Sequence, residues 1–570
     1  MKARSSDKRV GLLAAFVLTA TGLLAGSFAG VTAPKASASP TQVAPSADPL
    51  VMESSSQPSA TDNFNPFLPS SADSRLGATS LIYEPLLQFD TALPTQAPYE
   101  FLATHYSWSA GGESITFTIR AGVKFNDGTV MTPADVAFTY KLLKQYPDVN
   151  SAGLAISDVA VSGQDVTIGF SSPQYANLKN IASVYIVPES IWASVGDPAK
   201  FIVTDPIGTG PYMVDDDHFS PQGFVLVANP NYWGGPWNPG KGAPKVSSIE
   251  FPPLSTSASV LSELVNNQLD WAGNLITDLN PFVGSPNHKL WLVPLNTVSL
   301  YPNLTVWPTD QLPVREAISL AVNRDILSAQ GESGVEPPAT NASGLTLPNF
   351  AALVAPPVAD MTLNQNLKRA KAVLEEAGYL QNSAGWFEKA GDVVSLTITD
   401  PQVYSDYAYD DALVVSELRA AGIDASFVGQ ALSTWATDIG DGDYQLTMHW
   451  GQTASSAYQL YSYWLNSSLY TSNPESASGD LERLNSPAMN EDLAKLASAS
   501  TLASQRADLA PIEQYVATQL PVIPTLYAAA ADEYNTSRFT GWPSASNPYE
   551  SGNPATPTNE VVVLRLTPTG

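Results

Sequence analysis

The chain has 570 residues, a formal net charge of −27, no cysteine and four histidines, with 44% hydrophobic and only 14% charged residues. That length provides for about three or four domain-sized units around a large core. The charge excludes a nucleic-acid partner, whose phosphates need clustered Lys and Arg; the lack of cysteine excludes disulfides, thiolate metal sites and a thiol nucleophile, and His105, His218, His288 and His449 show no metal-binding spacing.

At the N-terminus Lys2, Arg4, Lys8 and Arg9 precede an uncharged run from Val10 to Val31, and Ala36-Ser37-Ala38 offers a small-x-small cleavage pattern. Residues 1–38 are expected to be an export signal cleaved after Ala38. The length of the run leaves an uncleaved membrane anchor as the alternative. Cleavage would remove five basic residues and one acid, taking the formal charge to about −31. Residues 39–60, rich in Ser, Pro and Ala, read as a linker. Folded structure is expected from about Thr61.

Beyond it, strand and helix signals are mixed. "ESITFTIR" (Glu113 to Arg120) alternates β-branched and polar residues; an Asp127-Gly128 turn and a Thr132-Pro133 helix start follow, with an amphipathic run. "LPVREAISLAVNRDILS" (Leu312 to Ser328) and "LNQNLKRAKAVLEEAGY" (Leu363 to Tyr379) have helical spacing, the second with Gly378 at a C-cap position. "VSLTITD" (Val394 to Asp400) and "YQLTMHW" (Tyr444 to Trp450) read as strands. The mixture predicts an α/β architecture.

Several turns also stand out. In "GTGPY", Gly208 and Gly210 read as glycines tolerating positive φ in a tight turn. Tyr232 and Trp233 of "NPNYWGG" are expected to pack, Asp127 to bond its own backbone, and "DIGDGDY" (Asp438 to Tyr444) to be a solvated turn.

Taken in order, "NFNPFL" (Asn63 to Leu68), "IYEPLLQFD" (Ile82 to Asp90), "VKFNDGTVMTPADVAFTY" (Val123 to Tyr140), "IGTGPYMV" (Ile207 to Val214), "ANPNYWGG" (Ala228 to Gly235), "VREAISLAVNRDIL" (Val314 to Leu327) and "AKAVLEEAGY" (Ala370 to Tyr379) resemble the family 5 extracellular solute-binding proteins of ABC importers. That resemblance implies a two-lobed periplasmic-binding-protein-like α/β fold of type II, cluster C, with an extra domain in the N-terminal lobe. The solute would be enclosed between the lobes and delivered to the importer's transmembrane permease. Mapped by motif order, lobe 1 would comprise residues 61–95, 200–296 and 525–570, its extra domain 96–199, and lobe 2 297–524. Crossing strands would lie near Thr297 to Val306 and Leu520 to Ala529. A monomer without cofactor or metal is expected. Gram-positive relatives are commonly lipoproteins with a Cys after the signal; this chain has none.

The ligand question centres on "MHWGQTASSAYQLYSYWLNSS" (Met448 to Ser468), which is aromatic, hydroxyl-rich and uncharged. Peptide-binding members resemble W-x-A-D-Y-x-D-P here, their acid pairing with the ligand's α-amino group. This chain has Gln452 and Thr453 instead, with Asp443 and Glu475 the nearest acids. Aromatic faces beside neutral donors suit a sugar, so the expected ligand is a neutral, cello-oligosaccharide-like oligosaccharide, with an oligopeptide as the alternative. Candidate ligand-binding residues are Trp450, Gln452, Thr453, Tyr458, Tyr461 and Trp464, the opposing possibility being that Tyr461 and Trp464 simply pack inward. Mapping by family adds Trp271 and Asn274, Asn65 and Tyr83, and Tyr301 and Asn303. An exported glycoside hydrolase is the remaining alternative; it needs two carboxylates held across a bond. Asp410-Asp411 and Asp215-Asp216-Asp217 are adjacent residues that point differently, in apparent turns or helix starts. No catalytic residue is assigned.

Overall fold

The computed structural model describes residues 49–53, 59–68, 76–240, 242–252, 254, 256–273, 280–451, 456–469 and 479–569. The expected signal and its cleavage position lie outside them. The linker expectation needs one correction. "LVME" forms strand β1 (Leu50–Glu53) in the middle of the main sheet, with Leu50 and Met52 fully buried. Four residues amid Ser and Pro are too short a run to show periodicity, and the pairing on both edges comes from strands far along the chain.

A four-stranded antiparallel sheet follows from β2 (Ala103–Trp108), β3 (Ser114–Ile119), β4 (Ile156–Ser162) and β5 (Asp165–Phe170), ordered β2-β3-β5-β4. The alternation in β3 buries Ile115, Phe117 and Ile119 and leaves the Ser and Thr positions half-buried. Helix α1 (Pro133–Gln145) packs on this sheet. Pro133 occupies its first turn, and the Asp135 carboxylate accepts from the Thr132 amide at 2.8 Å, closing a capping box. The Asp127 carboxylate accepts from the Thr129 amide at 2.8 Å, the local bonding expected of that turn.

The chain then returns to the main sheet through β6 (Tyr212–Val214), β7 (Phe224–Ala228), β8 (Ser248–Phe251) and β9 (Trp271–Ala272), and crosses it on β10 (His288–Pro302). Gly208 and Gly210 are needed for a different reason from the expected one. Neither has a positive φ. The Gly210 amide donates to Ile82 O at 2.9 Å, and a Cβ on either glycine would collide with the backbone of residues 81–82. Close approach of two main chains requires them.

The second half contributes α2 (Leu312–Ala321), α3 (Leu367–Glu376), β11 (Ser395–Pro401), α4 (Ser405–Ala420), β12 (Asp424–Gln430), α5 (Leu432–Asp441), β13 (Leu446–Trp450), α6 (Ala457–Leu465), α7 (Pro487–Ala497), α8 (Leu502–Gln519), β14 (Ile523–Asn535) and α9 (Asn559–Val563). Gly378 closes the turn after α3 with φ 85°. "DIGDGDY" is the end of α5 with Gly442 in the left-handed cap, not a free turn.

The main sheet has ten strands in the order β12-β11-β13-β10-β14-β9-β1-β8-β7-β6. Its centre is the long antiparallel pair β10 and β14, in register from His288↔Asn535 to Leu300↔Ile523 with irregularities at Pro294/Asn296 and Val298/Ser299. One end of this pair carries β13, the other β9. The cores divide accordingly. One hydrophobic cluster is drawn from residues 50–271 and 534–566, and two others from 298–526. Two α/β lobes therefore share one pair of connecting strands. Among the described residues no helix is long and apolar enough to cross a membrane.

Candidate functional site

In the second lobe β11 runs parallel to both β12 and β13. Each strand is followed by a helix, α4, α5 and α6 respectively, so three strand ends and three helix starts converge on one edge. In open α/β sheets, ligands are met outside the carboxyl ends of the strands. Trp450 is the last residue of β13 and stands half-buried at that edge.

The rings around it form a wall. Tyr404, between β11 and α4, lies 5.1 Å from Trp450 centroid to centroid at 66°, and Tyr407, in the first turn of α4, lies 5.9 Å away at 43°. His449 packs against Trp450 at 3.9 Å and stacks on Trp435 of α5 at 5.2 Å and 8°. Its Nδ1 donates to Trp450 O at 2.8 Å. Burial lowers the imidazole to about 4, leaving a neutral ring at neutral pH. Trp435 Nε1 donates to the Thr447 hydroxyl at 2.9 Å, which donates to Asp400 at 2.9 Å. Tyr404 and Tyr407 were missed from sequence; the signal was their position in "DPQVYSDYAYDD", where a predicted strand ends and a ring-rich segment starts.

Acids lie behind the wall. Burial together with neighbouring carboxyls raises Glu332 to about 7 and Asp410 to about 9, burial alone raises Asp400 to about 7, and Glu336, beside the Tyr407 hydroxyl, is raised mainly by burial. Asp410 and Asp411, weighed above as hydrolytic carboxylates at a turn or helix start, are fully buried inside α4. Among the described residues no group of three or more His, Asp or Glu is placed to hold a metal ion.

The remaining candidates fall into three groups. Gln452, Thr453 and Asn274 lie outside the described residues. Tyr458, half-buried on α6, borders a cavity of about 20 Å³ with Ala176, Leu496 and Leu509, room for one water rather than a solute. The other seven are core. Tyr461 donates to Ser343 O at 2.9 Å; Trp464 Nε1 donates to the Tyr301 hydroxyl at 3.0 Å. Tyr83 donates to Phe64 O at 3.1 Å, Asn65 to Phe201 O at 2.8 Å, Asn303 to Tyr444 O at 3.0 Å, and Trp271 to Asp532 at 3.2 Å. All seven are fully buried with a polar atom engaged internally, so none lines an open surface here. The inward-packing alternative for Tyr461 and Trp464 is what the fold contains.

Residues 97–472 match the model of the bacterial extracellular solute-binding proteins, family 5 Middle. The chain belongs to this family. It is an importer solute-binding protein of the ABC type, a family whose members work outside the cytoplasm. It is 26% identical over 389 residues to the nickel-binding periplasmic protein of Escherichia coli K12, covering 66% of this chain and 71% of that protein. The fold matches a periplasmic oligopeptide-binding protein of Thermotoga maritima with a TM-score of 0.76 and 22% identity, over 91% of this chain and 99% of the other. A mannohexaose-bound structure of that protein aligns with a TM-score of 0.68 and 22% identity, over 91% and 98%. These likenesses carry the two-lobed α/β fold.

Proposed function

We propose that this family 5 protein captures an uncharged solute, most simply an oligosaccharide, against the half-buried rings of Trp450 and Tyr404, backed by the buried Tyr407, and passes it to the permease as an exported monomer whose signal is removed after Ala38. The observation carrying this reading is a half-buried indole at the carboxyl end of β13, with the half-buried Tyr404 beside it and the buried Tyr407 behind it. A ring face of this kind receives the C–H side of a sugar. The mannohexaose-bound relative adds support for a sugar within this fold.

An oligopeptide is the second reading. Asp406, an exposed acid in the first turn of α4 next to Tyr407, is the group near the wall that could meet an α-amino group. Hydrolysis has weaker support, because the carboxyls of Asp410 and Asp411 are enclosed and face other acids. Calorimetric titration with cello- and manno-oligosaccharides, and separately with di- to pentapeptides, tests the proposal. Heat and saturation with an oligosaccharide, recovered unaltered, are expected. Saturation by peptides alone would overturn it.

A further inference from the structure

Among the described residues, three pairs of buried carboxyl groups from different elements lie against each other outside any ion pair. Asp400, at the end of β11, accepts from the Met448 amide at 2.8 Å and the Thr447 hydroxyl at 2.9 Å. Its carboxyl also lies against that of Asp411 from α4, whose two oxygens are buried and take no donor from another described group. Asp410 makes the same contact with Glu332, which follows the turn at Leu327–Gly331. Gly331 leaves the space for it: a Cβ there would collide with the Asp410 carboxyl. In the first lobe Glu84 meets Glu560 of α9, and Trp233 Nε1 lies 2.9 Å from both Glu84 oxygens.

Hydrogen-bond supply decides the protonation of such pairs. Neither oxygen of Asp410 or Asp411 has a donor from any other described group. An ionised carboxylate only accepts, so two ionised partners would leave these oxygens unpaired and repelling; one proton converts one partner into the donor. Around the two pairs on α4 the described surroundings supply no positive charge, and the first-lobe pair feels only Arg120, which interacts with Glu84 without forming an ion pair. Around Glu332 and Asp410 stand Asp406, Glu336 and Tyr407; Asp400 faces Tyr404. Farther along α4, Glu417 sits near Arg324, whose guanidinium is spent on main-chain oxygens including Pro524 O at 2.7 Å. Around Glu84 and Glu560 stand Tyr232, Tyr212, Thr209 and Gln88; Arg120 lies over the Trp233 ring at 4.4 Å and donates to Phe101 O at 2.8 Å. Among the described residues, none of these six acids takes part in an ion pair.

We propose that the three carboxyl pairs are proton-holding braces, each taking up a proton when the chain folds, and that they adapt the folded protein to an acidic exterior and weaken it as the surroundings turn alkaline.

The direction follows from proton binding. Asp400, Glu332 and Glu84 are raised to about 7, Asp410 to about 9, and Asp411 and Glu560 well above the ordinary range, burial being the largest cause in each. Unfolded carboxyls titrate near ~4, so above that pH the folded chain binds more protons than the unfolded one and stability falls as pH rises toward the folded values. Each proton so held changes the folding constant by up to about tenfold per pH unit in that window. His449 works the other way: lowered to about 4, it adds stability as pH rises from there to its unfolded value of ~6.5. Burial also raises acids outside the pairs, Glu336, Glu417 and Glu513 among them, in the same direction as the pairs, so a single imidazole is outweighed and the acid side prevails.

The test is thermal unfolding of the full chain without ligand from about pH 4 to 9, for the native protein, Asp411→Asn, Glu560→Gln and a surface control, Asp360→Asn. An amide donates without titrating, so each buried variant is expected to flatten the alkaline fall. Asp360 is exposed and its amide should leave the profile's shape intact. A native melting temperature that holds or rises from pH 5 to 8 would overturn the proposal, as would buried variants whose profiles stay parallel to the native one. Glu560→Gln lies in the other lobe and keeps the test open if Asp411→Asn does not fold. An infrared band of protonated carboxyl persisting at pH 7 and shrinking in the amide variants is the second expected result; its absence counts against the braces.

Discussion

Replacing Trp450 by alanine separates a binding wall from a core. Without ligand the indole touches Tyr404 at 5.1 Å, Tyr407 at 5.9 Å and His449 at 3.9 Å, and is partly buried. About two thirds or more of a tryptophan's ~200 Å², at ~25 cal/mol/Å², amounts to roughly 3.3 kcal/mol or more, and losing the edge-to-face ring pair adds about 1 kcal/mol. A stability loss of about 3–5 kcal/mol is therefore expected, with the fold intact. Solute stacked on the free face would lose a further ~1–3 kcal/mol, raising Kd about 5- to 150-fold. Trp450→Phe, keeping a ring face, should lose less than about tenfold. Calorimetry with the best oligosaccharide, beside urea unfolding, measures both quantities. An unchanged Kd in a folded Trp450→Ala protein would refute the placement of solute on this wall, and a variant that cannot fold would make the indole core.

Trp464→Ala should cost about 3–5 kcal/mol in urea unfolding, because the ring is fully buried and bonded to Tyr301, while Kd of the folded fraction stays unchanged; a selective loss of binding would return Trp464 to the site. Gly208→Ala forces a Cβ against Ile82 O and is expected to destabilise by about 1–3 kcal/mol, read from the denaturant midpoint. Arg538→Ala strips the buried Asp270 carboxylate of its guanidinium, which bonds it at 2.9 Å; about 3–5 kcal/mol should be lost, with part recovered by adding Asp270→Asn. A cost under about 1 kcal/mol would place that pair among weak surface bridges.

Elements of the fold with a strong local period were legible. Strand 114–119, the helix after Pro133 and the strands ending at Pro401 and Trp450 follow from alternation, capping chemistry and β-branched content. What escaped was set by distant partners. Strand β1 has four residues, and only its neighbours β8 and β9, hundreds of positions away, make it central. The crossing strands were placed near 297–306 and 520–529, but pairing extends them to His288–Pro302 and Ile523–Asn535, since half of their register lies in the first lobe. Gly208 and Gly210 were noticed for the wrong property, because a close main-chain approach leaves no trace in the local sequence.

Of the residues the sequence singled out, the proposed site keeps one anchor. Trp450 ends a predicted strand, and a strand end at a cleft edge is informative; the residues after it on α6 follow helical spacing, which turns Tyr461 and Trp464 inward and Tyr458 partly outward. Composition cannot distinguish these, since a core and a stacking surface draw on the same rings. The acids illustrate the converse. Asp410 and Asp411 read as adjacent acids at a turn or helix start, yet α4 presents both to the interior, where Glu332 and Asp400 stand opposite them on other elements. A sequence cannot show two carboxyls meeting across 78 positions, as Glu332 and Asp410 do, and so it overstated the chain's charge at neutral pH. The formal −27 counts every acid as ionised; each pair that keeps its proton on folding makes the folded protein one charge less negative.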